Sequence, residues 1–168
     1  MQFLVYKKYV ITDCLIDCSD YALQSGYRIM LYKPSLLKPV LRFKGLFKGF
    51  LWYLLSFGKL WIFYILDGAK VAHYSYVIQK NIRFPFMSDE DLQIGPCYTD
   101  VNYRGQGLYQ TALKCIPISF SNKSNTFWIF TTVKNSISQH VILKAGFSLV
   151  GIGYTRGMLK RLILSRLV

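Results

Sequence analysis

The middle of this 168-residue chain holds the stretch that most constrains its fold. An apolar-leaning run, Leu92–Thr99, predicts a strand, and Leu108–Ile116 has the spacing of a helix that ends just before Pro117. The turn between them carries Gly105 and Gly107. Glycine lacks a Cβ, so such a turn adopts positive φ and lets another molecule approach the backbone. The helix that follows begins with free N–H groups and a positive dipole end, and this combination binds anions, most often phosphate.

The spacing of the glycines in the turn can be compared with the known types of phosphate-binding loop. The turn, Arg104 to Tyr109, does not contain G-x-x-x-x-G-K-[ST], which excludes a Walker loop. It does not form G-x-G-x-x-G, so a Rossmann fingerprint is not supported. A glycine-rich turn that binds no ligand stays open as an alternative.

A second motif follows the turn, after a run that is typical of a strand, Thr126–Val133. It begins with Asn135, has Ser138 three residues later, and closes with Lys144-Ala145-Gly146-Phe147. Together the two motifs resemble the GNAT family of N-acetyltransferases. That family has an acyl-CoA loop of the form [Q/R]-x-x-G-x-[G/A], and its next helix commonly closes with K-x-G-F. The resemblance extends from about Leu60 to Tyr154.

The resemblance implies an α/β fold with a mixed sheet of about six to seven strands. Most strands would be antiparallel, with one splayed parallel pair, and helices would flank the sheet. Residues 1–168 would form a single acyl-CoA-dependent N-acyltransferase domain. The implied reaction moves an acetyl group from acetyl-CoA to an amine of a small acceptor by direct attack, with no metal.

The resemblance also implies a set of acetyl-CoA contacts. In the family, the strand before the loop parts from the next parallel strand, and the pantetheine arm pairs with the freed backbone. The implied contacts are Cys97, Thr99, Val101, Arg104, Gly105, Gln106, Gly107, Leu108, Tyr109, Asn135 and Ser138. Tyr109 stands where the family usually has Gly or Ala. Asn135 and Ser138 also fit an N-cap and a small packing residue, and Arg104 fits either a phosphate contact or a surface pair.

The sequence indicates the catalytic acid and base less clearly than it indicates the acetyl-CoA contacts. Family members often place a tyrosine two residues before the lysine of K-x-G-F, but this chain has Ile142 there. The catalytic candidates are His73, Tyr98, Asp100 and Tyr154. His73 is the first candidate for the base, because histidine titrates near neutral pH, and Asp100 and Glu90 follow. For the acid, water, Tyr98, Tyr154 and His140 stay open, as does unaided departure of CoA.

A backbone N–H near Tyr98 or Thr99 would polarise the thioester carbonyl in the manner of an oxyanion hole. This candidate is independent of which side chain serves as acid or base.

The rest of the chain alternates between predicted strands and helices. Asp67-Gly68, between two β-rich runs, is a strong hairpin signal. Tyr27–Tyr32 is open between a strand and a continued helix. The predicted strands are Phe3–Val10, Leu60–Leu66, Val71–Ile78, Leu92–Thr99, Thr126–Val133, Phe147–Tyr154 and about Leu159–Leu167. The predicted helices are Asp13–Gln24 with Thr12 as N-cap, a segment from Leu36 to Leu54, Leu108–Ile116 and Ser136–Lys144.

The segment from Leu36 to Leu54 has an apolar stripe flanked by lysine and arginine. Three interpretations stay open for it: a helix packed on the sheet, a basic amphipathic helix at a membrane surface, and part of a membrane span, Leu46–Leu66. The span is the least favoured, because Lys48 and Lys59 interrupt it and Leu60–Leu66 belongs to the predicted hairpin.

Charge and cysteine content limit the partners. The chain has 21 Lys and Arg against 8 Asp and Glu, a net charge of +13, which suits CoA and an anionic acceptor such as an amino sugar or a nucleotide-linked amino sugar. No nucleic-acid-binding signature is visible, and the cysteines and histidines lack zinc spacing.

We expect a cytoplasmic protein without a cleaved signal, monomeric or homodimeric, with peripheral membrane contact left open. The alternatives are a catalytically weak CoA-binding domain and a membrane-surface acyltransferase of the same fold.

Overall fold

The computed structural model describes residues 1–10, 26–34, 58–81, 83–157 and 161–166. These residues form one sheet of eight strands with two α-helices. The strands are β1 (Gln2–Tyr9), β2 (Tyr27–Tyr32), β3 (Leu60–Asp67), β4 (Lys70–Gln79), β5 (Leu92–Thr99), β6 (Thr126–Thr132), β7 (Ser148–Arg156) and β8 (Arg161–Arg166). The helices are α1 (Leu108–Ser119) and α2 (Ser136–Lys144). The predicted helices Asp13–Gln24 and Leu36–Leu54 lie outside the described residues.

The sheet has the strand order β2-β3-β4-β5-β6-β1-β7-β8. Among the described strands, the β5–β6 neighbours alone are parallel and the other pairs are antiparallel. The predicted mixed sheet with a single parallel pair is therefore confirmed, although it has one strand more than the six to seven expected. The first strand of the chain lies between β6 and β7, a long-range pairing that local sequence patterns do not reveal.

Most predicted elements that fall on described residues are present, and the largest difference in a boundary is at the end of α1. Tyr27–Tyr32, which the sequence left open, is a strand. Helix α1 does not end before Pro117 but continues to Ser119. Proline is most costly in a helix interior, and here only two residues follow it before the N–H of Phe120 closes the helix on the Ile116 carbonyl at 3.1 Å.

Each face of the sheet has its own core. Helix α1 packs its apolar side on β3, β4 and β5, with Leu113 and Ile116 fully buried. On the other face, Phe84 and Met87 from the loop before β5 pack with Trp128. The indole Nε1 of Trp128 donates to the buried carboxylate of Asp91 at 2.8 Å, which ties that loop to the sheet.

Neither of the two described helices is long and apolar enough to cross a membrane.

Candidate functional site

A gap opens in the sheet between β5 and β6. The two strands pair only at Leu92, Gln93 and Ile94, and β5 then continues to Thr99 without β6 as a neighbour. Pro96 lies where this pairing has stopped, opposite a register shift in β4. Proline has no N–H to contribute to the ladder, so Pro96 fits a place where pairing ends.

The side chain of Gln93 forms hydrogen bonds at the place where β5 and β6 separate. Its amide Nε2 donates to the carbonyl oxygens of Ile94 and Gly95, each at 3.0 Å. These bonds satisfy carbonyls at the place where the partner strand is lost. Gln93 is buried, so the bonds are protected from water.

The direction of the free backbone groups in the gap follows from one hydrogen bond. The N–H of Asp100 donates to the Ala72 carbonyl of β4 at 3.0 Å. Backbone groups alternate along a strand, so those of Tyr98 also face β4, while those of Cys97 and Thr99 face the gap. Of the two N–H groups predicted to polarise a thioester, only that of Thr99 therefore points into the opening.

Val101 does not extend this row, contrary to the sequence prediction. It begins a 3-10 turn, Val101–Tyr103, in which the Asp100 carboxylate caps the N–H of Asn102 at 3.0 Å. The chain leaves the strand at this cap, so the backbone of Val101 is turned away from the ladder.

The glycine turn has the conformation that the sequence predicts. Gly105 and Gly107 have φ values of +79° and +73°, and neither has an atom within 4 Å of where a Cβ would lie. Gly107 is the N-cap of α1 and offers no capping side chain, so the first N–H groups of the helix are directed outward. The side chain of Leu108 is buried in the core, which leaves its backbone as the group nearest the cleft.

The turn and the gap line a single cleft of about 810 Å³. A cleft of this size accommodates a small-molecule ligand or cofactor. Its wall contains Gly95 to Thr99 of β5, the turn at 103–105 and 107–110, and residues of β6 and α2. A phosphate-binding turn at one end and unpaired strand backbone at the other suit a ligand that is anionic at one end and extended along its length.

Two long-range contacts fix the turn, and neither was predicted from the sequence. The Tyr103 hydroxyl donates to Asp67 Oδ2 at 2.9 Å, and the Tyr27 hydroxyl donates to Gln106 Oε1. Asp67 is therefore more than a hairpin residue, because it anchors the loop from the β3–β4 turn. No local pattern could have signalled contacts that span 36 and 79 residues.

The predicted contacts of the second motif line the same cleft. Asn135 is the N-cap of α2, accepting from the N–H of Ser138 at 3.1 Å, and both residues face the cleft. The capping role and the position at the cleft are therefore compatible. Arg104 also lines the cleft, with its Nε donating to the Thr99 carbonyl at 3.3 Å.

His73 lies beneath the cleft in a fully buried position. Its Nδ1 is 2.7 Å from Thr99 Oγ1, and its Nε2 is 2.8 Å from Ser75 Oγ. Burial lowers the pKa of His73 to about 4. The expectation that its pKa suits neutral pH is therefore wrong, and the ring is neutral and held by two hydroxyl groups.

The other catalytic candidates are dispersed. Tyr98 borders the cleft, and its side chain is 45% exposed. Its ring packs on the ring of Tyr74, with the two centroids 5.6 Å apart. Asp100 is occupied as the cap of the 3-10 turn. Tyr154 lies on β7, which β1 separates from β6, so the structure does not bring it to the cleft.

The remaining candidates lie outside the cleft wall. Glu90 is in the exposed part of the loop before β5, and His140 is exposed on α2. Ile142, at the position where the family often has tyrosine, is fully buried in the core.

The thiol of Cys97 also borders the cleft. Burial raises its pKa to about 12, a shift that the Ser75 hydroxyl partly opposes. A thiolate is therefore strongly disfavoured at this place in the protein. Within the described ranges, no three His, Cys, Asp or Glu side chains lie together as metal ligands would.

Comparison with solved structures identifies similar folds at low sequence identity. One is a putative GNAT acetyltransferase from Novosphingobium aromaticivorans, with a TM-score of 0.58 and 9% identity over 90% of this chain and 60% of that one. A second is a GNAT-family acetyltransferase from Colwellia psychrerythraea, with a TM-score of 0.59 and 15% identity over 88% and 52% of the two chains.

A third similar structure is a tandem GNAT protein of the clavulanic acid biosynthesis pathway. Its TM-score is 0.60, with 13% identity over 88% of this chain and 50% of that one. The present chain thus spans about 50 to 60% of the length of these three structures. The sequence matches no family model and no curated protein significantly.

Proposed function

We propose that this chain, which has the fold of the GNAT acetyltransferases, transfers an acetyl group from acetyl-CoA to an amine of a small acceptor. The observation that carries the proposal is the cleft itself. A glycine turn at a helix N-terminus borders it at one end, and an unpaired stretch of β5 borders it at the other. The pyrophosphate of CoA fits the first, and the amides of its pantetheine arm fit the second.

The chain makes two contributions to the chemistry. The N–H of Thr99 would donate to the thioester oxygen as negative charge develops on it. The acceptor amine attacks the carbonyl carbon, the C–S bond breaks, and the nitrogen loses a proton to water. With a pKa of about 4, His73 is too weak a base to hold that proton at neutral pH. We assign it the role of fixing Thr99 through its bond to the hydroxyl.

An anionic acceptor is favoured by charge. The chain carries +13 overall, and a strongly basic protein attracts anionic substrates from a distance. Amino sugars linked to UDP or dTDP combine a primary amine with negative charge. We therefore propose this class first, in the cytoplasm, with the protein as monomer or homodimer.

Binding of acetyl-CoA is the first test. Calorimetry on the wild type should give micromolar affinity, and Gly107→Trp should abolish it by blocking the turn. Gly157→Trp is the matched control, because Gly157 has a φ of +74° against +73° for Gly107 and equally open space. Equal losses in both variants would attribute the effect to backbone strain, and no binding by the wild type would refute the proposal.

Turnover is tested by thiol release in the presence of UDP- and dTDP-linked amino sugars. Release that depends on one of them would identify the acceptor class. Two observations favour a second candidate, a CoA-binding domain with weak catalysis: His73 is neutral and enclosed, and Ile142 has no ionisable group. Acetyl-CoA binding without turnover of any amine would support that alternative. Peripheral membrane contact through the segment from Leu36 to Leu54 stays a prediction, which sedimentation with anionic vesicles tests.

A further inference from the structure

The guanidinium of Arg104 bonds to a backbone group that the proposed ligand needs. Its Nε donates to the carbonyl oxygen of Thr99 at 3.3 Å, and both residues line the cleft. The backbone of Thr99 faces the gap where β5 has no partner strand, so this carbonyl is one of the acceptors that an extended ligand would use. The side chain of Arg104 therefore lies on the row of backbone groups that the pantetheine arm would follow.

The direction of β5 determines which part of the ligand meets this carbonyl. The strand runs towards the glycine turn, so the carbonyl of Thr99 lies closer to the turn than its own N–H does. A ligand with its thioester at that N–H and its phosphates at the turn passes the carbonyl between these two points. The amide N–H groups of pantetheine belong to this middle part of the ligand, and one of them would compete with Arg104 for the carbonyl.

Thr99 is held to β4, whereas the side chain of Arg104 is exposed. The Thr99 hydroxyl is 2.7 Å from His73 Nδ1, and the N–H of the next residue, Asp100, donates to the Ala72 carbonyl at 3.0 Å. A ligand that takes the Thr99 carbonyl therefore displaces the arginine side chain rather than the strand.

The displaced side chain gains a strong partner when the ligand carries phosphate. Arg104 directly precedes Gly105 in the turn proposed to bind the pyrophosphate. A guanidinium group is planar and binds phosphate through two parallel, charge-assisted hydrogen bonds. A phosphorylated ligand therefore replaces a neutral carbonyl with a charged partner, whereas a ligand without phosphate leaves the guanidinium to water.

We propose that Arg104 selects for phosphate-bearing thioesters, because it holds the Thr99 carbonyl until a phosphate draws the side chain away. The inference rests on the proposed function and specifies the donors that the same site accepts. A simple phosphate contact would raise the affinity for acetyl-CoA and leave the affinity for a phosphate-free thioester unaffected. The contact between Arg104 and Thr99 instead lowers the affinity for the phosphate-free thioester.

The first test compares acetyl-CoA with S-acetylpantetheine, which has the same thioester and pantetheine arm but no phosphate or nucleotide. NMR titration of the labelled protein gives both Kd values. In Arg104→Met, the Kd for S-acetylpantetheine should fall about fivefold, because one exposed hydrogen bond no longer has to be broken. The Kd for acetyl-CoA should rise about tenfold, because the charged contact with phosphate is lost.

Arg28→Met is the matched control for the loss of one arginine. Arg28 Nη2 also donates to a backbone carbonyl, that of Gly68, at 3.3 Å, and Arg28 lies outside the cleft wall. The variant removes the same charge and the same kind of hydrogen bond, and it should change neither Kd by more than about twofold. If Arg28→Met tightens the binding of S-acetylpantetheine as much as Arg104→Met does, the inference is overturned.

The second test supplies the phosphate as a separate molecule. Millimolar inorganic pyrophosphate should lower the Kd of the wild type for S-acetylpantetheine about fivefold by drawing Arg104 from the carbonyl, and it should have no such effect on Arg104→Met. The inference fails if pyrophosphate leaves this Kd unchanged in the wild type, or if Arg104→Met binds S-acetylpantetheine no more tightly than the wild type does. Either result would leave the proposed function intact, whereas a wild type that binds no acetyl-CoA would overturn both.

Discussion

The burial of His73 predicts a specific dependence of stability on pH. In the unfolded chain this imidazole takes up a proton near its ordinary pKa of 6.5, whereas in the folded protein its pKa is about 4. Between these two values the unfolded state binds more protons, so the free energy of unfolding falls as the pH falls. Above about pH 8 the histidine is neutral in both states and contributes almost no slope.

The size of the effect follows from the shift. Each pKa unit corresponds to about 1.4 kcal/mol, so the full shift corresponds to about 3 kcal/mol. Over the experimentally convenient step from pH 7 to pH 5, linkage gives a loss of about 2 kcal/mol. That is a large share of the stability of an ordinary domain.

Urea unfolding followed by tryptophan fluorescence at pH 5, 6, 7 and 8 measures this loss. His73→Gln keeps a polar side chain in the site but cannot titrate, so its stability should change by about 2 kcal/mol less over that step than the wild type. The other histidine, His140, is exposed, and His140→Gln should retain the slope of the wild type. If wild type and His73→Gln lose equal stability, or if NMR shows His73 titrating near pH 6.5, the reasoning is refuted.

Two further predictions concern the packing of β7 on β8 and the buried hydrogen bonds of Asp91. A Cβ on Gly151 would lie 2.2 Å from the backbone oxygen of Ser165, whereas one on Gly153 would meet only side chains at 3.0 to 3.2 Å. In thermal unfolding, Gly151→Ala should therefore lower the free energy of unfolding by about 3 kcal/mol and Gly153→Ala by about 1 kcal/mol. The reverse order would contradict the described β7–β8 register. Asp91 accepts from Trp128 Nε1 at 2.8 Å and from the Ser88 N–H at 2.9 Å, so Asp91→Ala should cost about 2 to 3 kcal/mol in urea unfolding. The exposed Asp89 is the control, and a comparable loss on Asp89→Ala would show that the buried bonds do not matter.

Local patterns were sufficient for most of the described fold. The Asp-Gly hairpin signal placed β4 within one residue at each end, the apolar-leaning run gave the bounds of β5, and the glycine turn was correctly expected to have positive φ. Helix α2 has the bounds that were predicted, because its N-cap Asn135 and the glycine at 146 mark both ends. Each of these features depends on residues close together in the sequence.

Features that depend on distant residues were not predictable in this way. The insertion of β1 between β6 and β7 removes Tyr154 from the cleft, and nothing in β1 itself signals its neighbours. The burial of His73 depends on the ring of Tyr109, 36 positions further along the chain, which no strand pattern reveals. The anchoring of the turn by Asp67 and Tyr27 is of the same kind.

The amide of Gln93 has a kinetic consequence. The amide bonds to the Ile94 and Gly95 carbonyls where β5 leaves β6, so these two carbonyls have a partner while the sheet is open. A ligand that enters does not wait for the strands to separate, and the free energy of separating them does not subtract from its affinity. Association should then be governed by diffusion and by the attraction of an anionic ligand to a chain of +13 charge, and its rate should fall as salt is added.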